Sequence, residues 1–321
     1  MGKSIENKVH SVQFLEIDAE HEGQRIDNFL LTRLKGAPRS LIYRILRKGE
    51  VRVNKGRIKP DYRLQTGDLV RVPPVRLSPI KESHPADHVL AVIEKSILYE
   101  DKRILIINKP SGMAVHGGSG LSYGLIEGLR ASRPDAPYLE LVHRLDRDTS
   151  GCLIIAKKRS ALRQLHELLR SNSMTKQYLC LVKGEWTGGD RRIDAPLQKN
   201  VLQSGERIVR VNTEGKQALS LFRPLQTKPI ASLMEVKLET GRTHQIRVHA
   251  AHEGYPIAGD EKYGDETFNR AMRKYGLKRL FLHARLLRFE LSDEDQMIDI
   301  TAPLSDELQQ VLAKIDLRYK P

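Results

Sequence analysis

Beyond residue 96 the apolar residues fall in short runs that mostly follow one another directly, with few helix-length segments between them. That pattern points away from a doubly wound parallel sheet, in which strands alternate with helices. The strand candidates are 97–99 and 104–108, split by a turn at 100–103, then 151–156, 177–183, 219–222, 232–238 and 280–291. Helical spacing is confined to 123–131, 160–169, 244–252 and 306–315. Strands that neighbour strands predict a mixed or antiparallel sheet with flanking helices, an α+β domain.

The first part of the chain reads differently. Residues 1–22 are polar apart from Val12, Phe14, Leu15 and Ile17 and suit an arm or one short strand. From Arg25, Ile26, Phe29, Leu30 and Leu34 recur at helical spacing, and after Pro38 so do Leu41, Ile42, Ile45 and Leu46, with Ser40 as a candidate cap. Gly49 ends that helix, and 50–59 reads as a hairpin turning at Asn54, Lys55 and Gly56. A helix–helix–hairpin module over 23–76 is expected. Residues 77–95, with Pro79 and Pro85, read as a linker, and 96–321 as a second domain.

Charge singles out the module. The chain carries a net +14, and between Gly23 and Arg76 fourteen lysines and arginines face four acids, so ten of those charges sit in this one segment. Such a concentration on a foldable segment predicts a polyanionic partner. Arg39, Arg44, Arg47 and Lys48 on the second helix, with Lys55 and Arg57 on the hairpin, are the candidate nucleic-acid-binding residues. No apolar run approaches the roughly 20 residues of a membrane span, and MGKSIENKVH lacks a secretory apolar stretch, so a cytoplasmic protein is expected. Cys152 and Cys180 are too few for a disulfide framework and read as core thiols. No glycine-rich phosphate loop or dinucleotide fingerprint is present, so no nucleotide cofactor is expected.

The densest chemical constellation is His143-Arg144-Leu145-Asp146-Arg147-Asp148-Thr149-Ser150-Gly151, a loop feeding an apolar strand. An aspartate between two arginines is held ionised and can act as nucleophile or base. By residue type alone, a surface ion pair followed by an ordinary turn accounts for the same letters equally well. His244, His249 and His252 do not form an HExxH arrangement, and no metal is expected.

Two resemblances go further. RIDNFL and RSLIYRILRKGEVRVNKGRIKPDYRLQTGD resemble the alpha-L RNA-binding module of a small-subunit ribosomal protein and several RNA-modifying enzymes. INKPSGMAVHGG, HRLDRDTSG, KQYLCLVKG and GRTHQIRVHAAHEGYPIAGDEKYG resemble, in order, the motifs of the RluA-type pseudouridine synthases, and the likeness runs from about Arg25 to Leu312. It implies an isomerase that converts uridine to pseudouridine in 23S ribosomal RNA, free or in an assembling particle, at more than one site. Asp146 would be the essential carboxylate, and Arg144 would fill the space left by the extruded nucleotide. Tyr178 would pack on the target base. Arg247, on a helix that Thr243 can cap, would pair with Asp146, while Lys109, Pro110 and Gly112 shape the floor. A monomer is expected because no long coiled-coil pattern appears, and the resemblance implies that no cofactor is needed. It leaves open whether the carboxylate attacks the sugar, attacks the base or takes a proton. Transfer RNA as substrate, a non-catalytic ribosome assembly factor and a metal-dependent RNA hydrolase are the rival readings.

Overall fold

Residues 11–34 and 36–75 build a small sheet covered on one face by two helices. The structure, a computed structural model, describes residues 11–34, 36–75, 85–117, 123–201, 207–291 and 296–319. The chain divides into two units, Met1–Ser83 and His84–Pro321. In the first, strands β1 (Gln13–Glu16), β2 (Arg52–Val53), β3 (Gly56–Arg57) and β4 (Leu69–Val72) pair antiparallel in the order β1-β4-β2-β3. Helices α1 (Ile26–Arg33) and α2 (Arg39–Arg47) bury Ile26, Phe29, Leu30, Ile42, Ile45 and Leu46 against Val51, Val53, Val70 and Val72. Each such side chain contributes roughly 1.5–3 kcal/mol on burial. Asn54 and Lys55 both take left-handed conformations (φ 48° and 68°), as a two-residue hairpin turn requires. The Asn54 side chain bridges the Leu69 N–H and the buried Asp68, pinning that turn. Ser40 is not the cap of α2: the helix starts directly after Pro38, so Ser40 is already its second residue.

The linker expected at 77–95 is corrected over its second half. Residues 76–84 lie outside the described residues, as does 1–10 of the expected arm. Asp87–Lys95 is a helix, α3, whose Ile93 is buried with Leu125 and Leu129 of α4 (Leu125–Ser132). The prolines at 73, 74, 79 and 85 all precede it, and Val89 and Ile93 supply one helical face.

The second unit is the mixed sheet with flanking helices that the strand pattern predicts. Its strands are β5 (Ile97–Glu100), β6 (Ile104–Lys109), β7 (Glu140–Leu141), β8 (Ser150–Ala156), β9 (Thr175–Lys183), β10 (Arg191–Asp194), β11 (Leu197–Val201), β12 (Arg207–Val211), β13 (Leu219–Thr227), β14 (Ala231–Leu238), β15 (Leu282–Leu291) and β16 (Gln296–Thr301). The main path runs β10-β13-β14-β9-β15-β8-β6-β5, with β7 on β8 and β16 on β15; β11 and β12 form a separate hairpin. Alternation places successive side chains on opposite faces. Ile104, Ile106 and Ile154 pack toward α5 (Arg159–Arg170), whereas Leu105, Ile107, Leu153 and Ile155 pack toward α3 and α4. Leu179 and Leu181 face α7 (Glu266–Lys274) and α8 (Asp306–Lys314), whereas Cys180 and Val182 face α6 (Gln245–His252).

Every pair on that path is antiparallel except β15 with β8, which run parallel where His283 meets Ser150 and Ala284 meets Gly151. There the backbones approach too closely for a side chain. A Cβ on Gly151 would lie 2.1 Å from the Ala284 carbonyl oxygen, and its φ of +108° is outside the range of L residues. This junction fixes where the 143–149 loop enters the sheet.

Candidate active site

The loop that carries Asp146 is stitched to the end of β6. Lys109, with 0% of its surface exposed, donates to the carbonyls of Pro110, Met113 and Arg147 at 2.8, 2.8 and 2.9 Å. Burial, then the charge of Arg279, brings its pKa down to about 7. Arg147 Nε donates to the Gly112 carbonyl at 2.9 Å, the Gly112 N–H donates back to the Arg147 carbonyl at 2.9 Å, and Ser111 Oγ donates to the Asp148 carbonyl at 2.7 Å. His143 Nε2 accepts the Ile154 N–H at 3.2 Å, and burial lowers that imidazole to about 4. Ser150 Oγ lies 2.9 Å from His283 Nδ1 and accepts from Arg279 at 2.6 Å. The His283 Nε2–H donates to the Ala302 carbonyl at 3.0 Å.

Opposite the loop stands the start of α6. Gln245, buried, ties it to β13 by donating to the Leu219 carbonyl and Ser220 Oγ at 3.0 and 2.9 Å. His249, also buried, has its ring nitrogens against Ser220 Oγ and the Ala195 carbonyl, both at 3.0 Å. Thr243 does not cap this helix. The capping position belongs to His244, in a left-handed conformation (φ 55°, ψ 20°) and without a side-chain cap bond, because the chain turns sharply into the helix there.

Arg247 is thereby held within the site. Its Nε and Nη2 form a two-bond pair with Asp260 at 2.7 and 2.8 Å, while Nη1 reaches Asp146 Oδ2 at 3.5 Å. Burial works against the Arg247 charge, but the Asp260 bonds outweigh it and the pKa is raised. Asp260, 2% exposed, is lowered against its own burial by Arg247 and by the N–H groups of Tyr263 and Lys262. The bidentate geometry that suits a guanidinium thus goes to Asp260, and Asp146 receives the remaining nitrogen. His244 Nε2 lies 3.8 Å from Asp146 Oδ1.

Arg144 is exposed and lines the same cleft as Asp146 and Arg247. Tyr178 sits on β9, paired with Ala284 and Val236, and packs against two apolar clusters. Burial, then the Asp146 charge, raises its pKa, so it remains a neutral phenol. The cleft measures about 1440 Å³, and its wall beyond Asp146 includes Lys262, Arg273, Lys278 and Arg279. A small-molecule pocket spans roughly 300–1,000 Å³, so this cleft has room for a nucleotide and adjoining backbone.

Sequence reasoning did not assign Asp260, His244 or Tyr263. All three stand in the quoted stretch 241–264, yet no local pattern says which acid takes the bidentate pair. In the first unit, Arg39, Arg44, Arg47, Lys48, Lys55 and Arg57 are all exposed, and none forms an ion pair with a described carboxylate. The register adds a feature that strand reading missed: Phe14, Arg71, Arg52 and Arg57 are successive cross-strand partners in one row over all four strands.

A family model described as RNA pseudouridylate synthase matches residues 103–252, and an S4 domain model matches residues 24–70. The chain is 55% identical over 315 residues to ribosomal large subunit pseudouridine synthase C of Escherichia coli strain K12, covering 97% of this chain and 99% of that one. To the protein of that name from Yersinia pestis it is 57% identical over 304 residues, covering 94% and 95%. Among solved structures, human RNA pseudouridylate synthase domain containing 1 aligns with a TM-score of 0.56 at 25% identity, over 67% of this chain and 86% of that one. Human RNA pseudouridylate synthase domain containing 4 shares the fold, with a TM-score of 0.61 at 24% identity over 73% and 98%.

Proposed function

Since the chain belongs to the RNA pseudouridylate synthase family, we propose that it isomerises uridine to pseudouridine in 23S ribosomal RNA with Asp146 as the reacting carboxylate. The observation that carries this reading is the placement of Asp146 on a loop locked by Lys109 and Gly151, beside Arg247, in a cleft rich in basic groups. The target uridine must leave its stack to reach the carboxylate, at a cost of a few kcal/mol. Arg144, exposed at the cleft, then occupies the vacated space.

The bond from ribose C1′ to uracil N1 breaks, the uracil turns while held, and C1′ bonds to C5. The C5 proton is lost, N1 takes one up, and no electrons are exchanged. On this reading the chain needs no cofactor or metal. Tyr178, a neutral phenol in the field of Asp146, offers a flat apolar surface for the uracil and an O–H for proton transfer. The S4 module supplies phosphate contacts through α2 and the β2–β3 hairpin. The substrate is cytoplasmic RNA, and the enzyme is taken to work there as a monomer.

Pseudouridine mapping of a 23S transcript treated with the wild-type protein or with Asp146→Asn, without added nucleotide or metal, tests the proposal. New pseudouridines are expected with wild type alone, and their positions and number follow from the same map. Substantial isomerisation by Asp146→Asn would remove the carboxylate from the mechanism. No modification of the transcript would move the search to ribosomal precursors and transfer RNA, and failure there too would favour an assembly factor.

A further inference from the structure

The Asp146 carboxylate has two oxygens, and each has its own neighbour. Arg247 Nη1 lies 3.5 Å from Oδ2, and His244 Nε2 lies 3.8 Å from Oδ1. The left-handed backbone of His244, unsupported by any cap bond, persists only where the surroundings hold it. Its ring provides those contacts: Nδ1 meets the Tyr263 hydroxyl at 2.8 Å, and the two rings pack edge to face at 5.4 Å.

Tyr263 and Asp146 together favour one tautomer. The Tyr263 oxygen accepts the Val209 N–H at 3.0 Å and its proton can go to His244 Nδ1, the arrangement that leaves the imidazole proton on Nε2, toward the acceptor-only carboxylate of Asp146. Burial raises the pKa of the phenol and, in the first place, lowers that of the imidazole, so both are neutral. A neutral imidazole that accepts at Nδ1 carries its proton on Nε2, which faces Oδ1 of Asp146. The same tyrosine ring lies 5.0 Å from the Arg247 guanidinium. One side chain, tied to the β11–β12 hairpin through Val209, therefore sets both groups that flank the carboxylate.

Resting on the reading that Asp146 reacts with the uridine, we propose that His244 is a positioning residue for it. Its Nε2–H addresses Oδ1 while Arg247 addresses Oδ2, so the plane of the carboxylate is fixed by two different donors. Both contacts are longer than hydrogen bonds, and contacts of this kind tighten in the substrate complex. Only a small approach is needed, because each donor already lies beside a separate oxygen.

Two amides separate this role from a structural one. His244→Gln puts an N–H where Nε2 stands and gives up the Nδ1 contact. His244→Asn keeps a polar group near Nδ1, suits the left-handed backbone, and falls short of Asp146. Both are to be assayed on the 23S transcript for kcat, KM and RNA affinity, with Asp146→Asn alongside. The glutamine variant is expected within about threefold of wild-type kcat and the asparagine variant about tenfold or more below it, with KM and affinity unchanged in both. Wild-type turnover by His244→Asn overturns the proposal, as does an equal loss in both variants. If Asp146→Asn is inactive while His244→Asn is not, only the role of His244 falls. If Asp146→Asn still isomerises, the reading beneath fails and this role with it.

Discussion

Lys109 Nζ contacts the carbonyls of Pro110, Met113 and Arg147, which makes one buried side chain the clasp between the β6 end and the Asp146 loop. Lys109→Met keeps the volume, leaves the Pro110 and Met113 carbonyls without a donor, and leaves the Arg147 carbonyl with the Gly112 N–H alone. A loss of about 3 kcal/mol or more is expected from urea unfolding, since a buried unsatisfied acceptor costs roughly 1–3 kcal/mol. Turnover should fall with it, because the Asp146 loop loses its anchor. Gly151→Ala is expected to cost about 3 kcal/mol or more on the same measurement, since a Cβ there meets backbone and the φ is forbidden to alanine. An alanine variant as stable as wild type would mean that β8 and β15 can part without penalty. At this scale Asp146 was legible as the candidate carboxylate, because its neighbours HRLDRDTSG resemble a known motif. The partner that takes the bidentate grip of Arg247 was not, since Asp260 is thirteen residues on and one acid among several in that stretch.

Among elements, α2 and the β2–β3 hairpin show periodicity at its most informative. Alternate burial leaves Arg44, Arg47 and Arg57 exposed on the module, without described carboxylate partners. Each phosphate contact contributes roughly 0.7–0.9 to the slope of log affinity against log salt. Replacing these three arginines by alanine is therefore expected to flatten that slope by about 2, measured by RNA binding over a salt series. An unchanged slope would move the main phosphate contacts to the cleft. The elements that sequence reading missed are short or polar. β10 to β12 alternate too weakly to register, and α7 offers just Phe268 and Met272 as a buried apolar pair. Asp265, whose side chain caps α7 by accepting the Phe268 N–H, was the available signal. Helix α3 was hidden by the prolines before it.

For the molecule as a whole, pH reports on what folding buries. His283, 1% exposed, is lowered to about 4 by burial against an ordinary 6.5, and His143 is lowered likewise. Below pH 6.5 the unfolded chain takes up protons that the folded chain refuses, so stability is full above 6.5 and drains away as pH falls toward 4. For His283 alone the loss by pH 4 is about 3 kcal/mol, from about 1.36 kcal/mol per unit of displacement. Urea midpoints that stay level from pH 7 to pH 4.5 would show that neither imidazole is held neutral. No helix among the described residues is long and apolar enough to cross a membrane. The sequence by itself determined the α+β class, the basic module and the loop that bears Asp146, because alternation, charge and a motif are properties of neighbouring residues. The tertiary structure decided which distant groups meet Asp146: Arg247 and His244 from the start of α6, Asp260 behind Arg247 and Tyr263 beneath both. Those contacts depend on one parallel strand pair and on the left-handed backbone of His244, and such long-range geometry leaves no periodic trace along the chain.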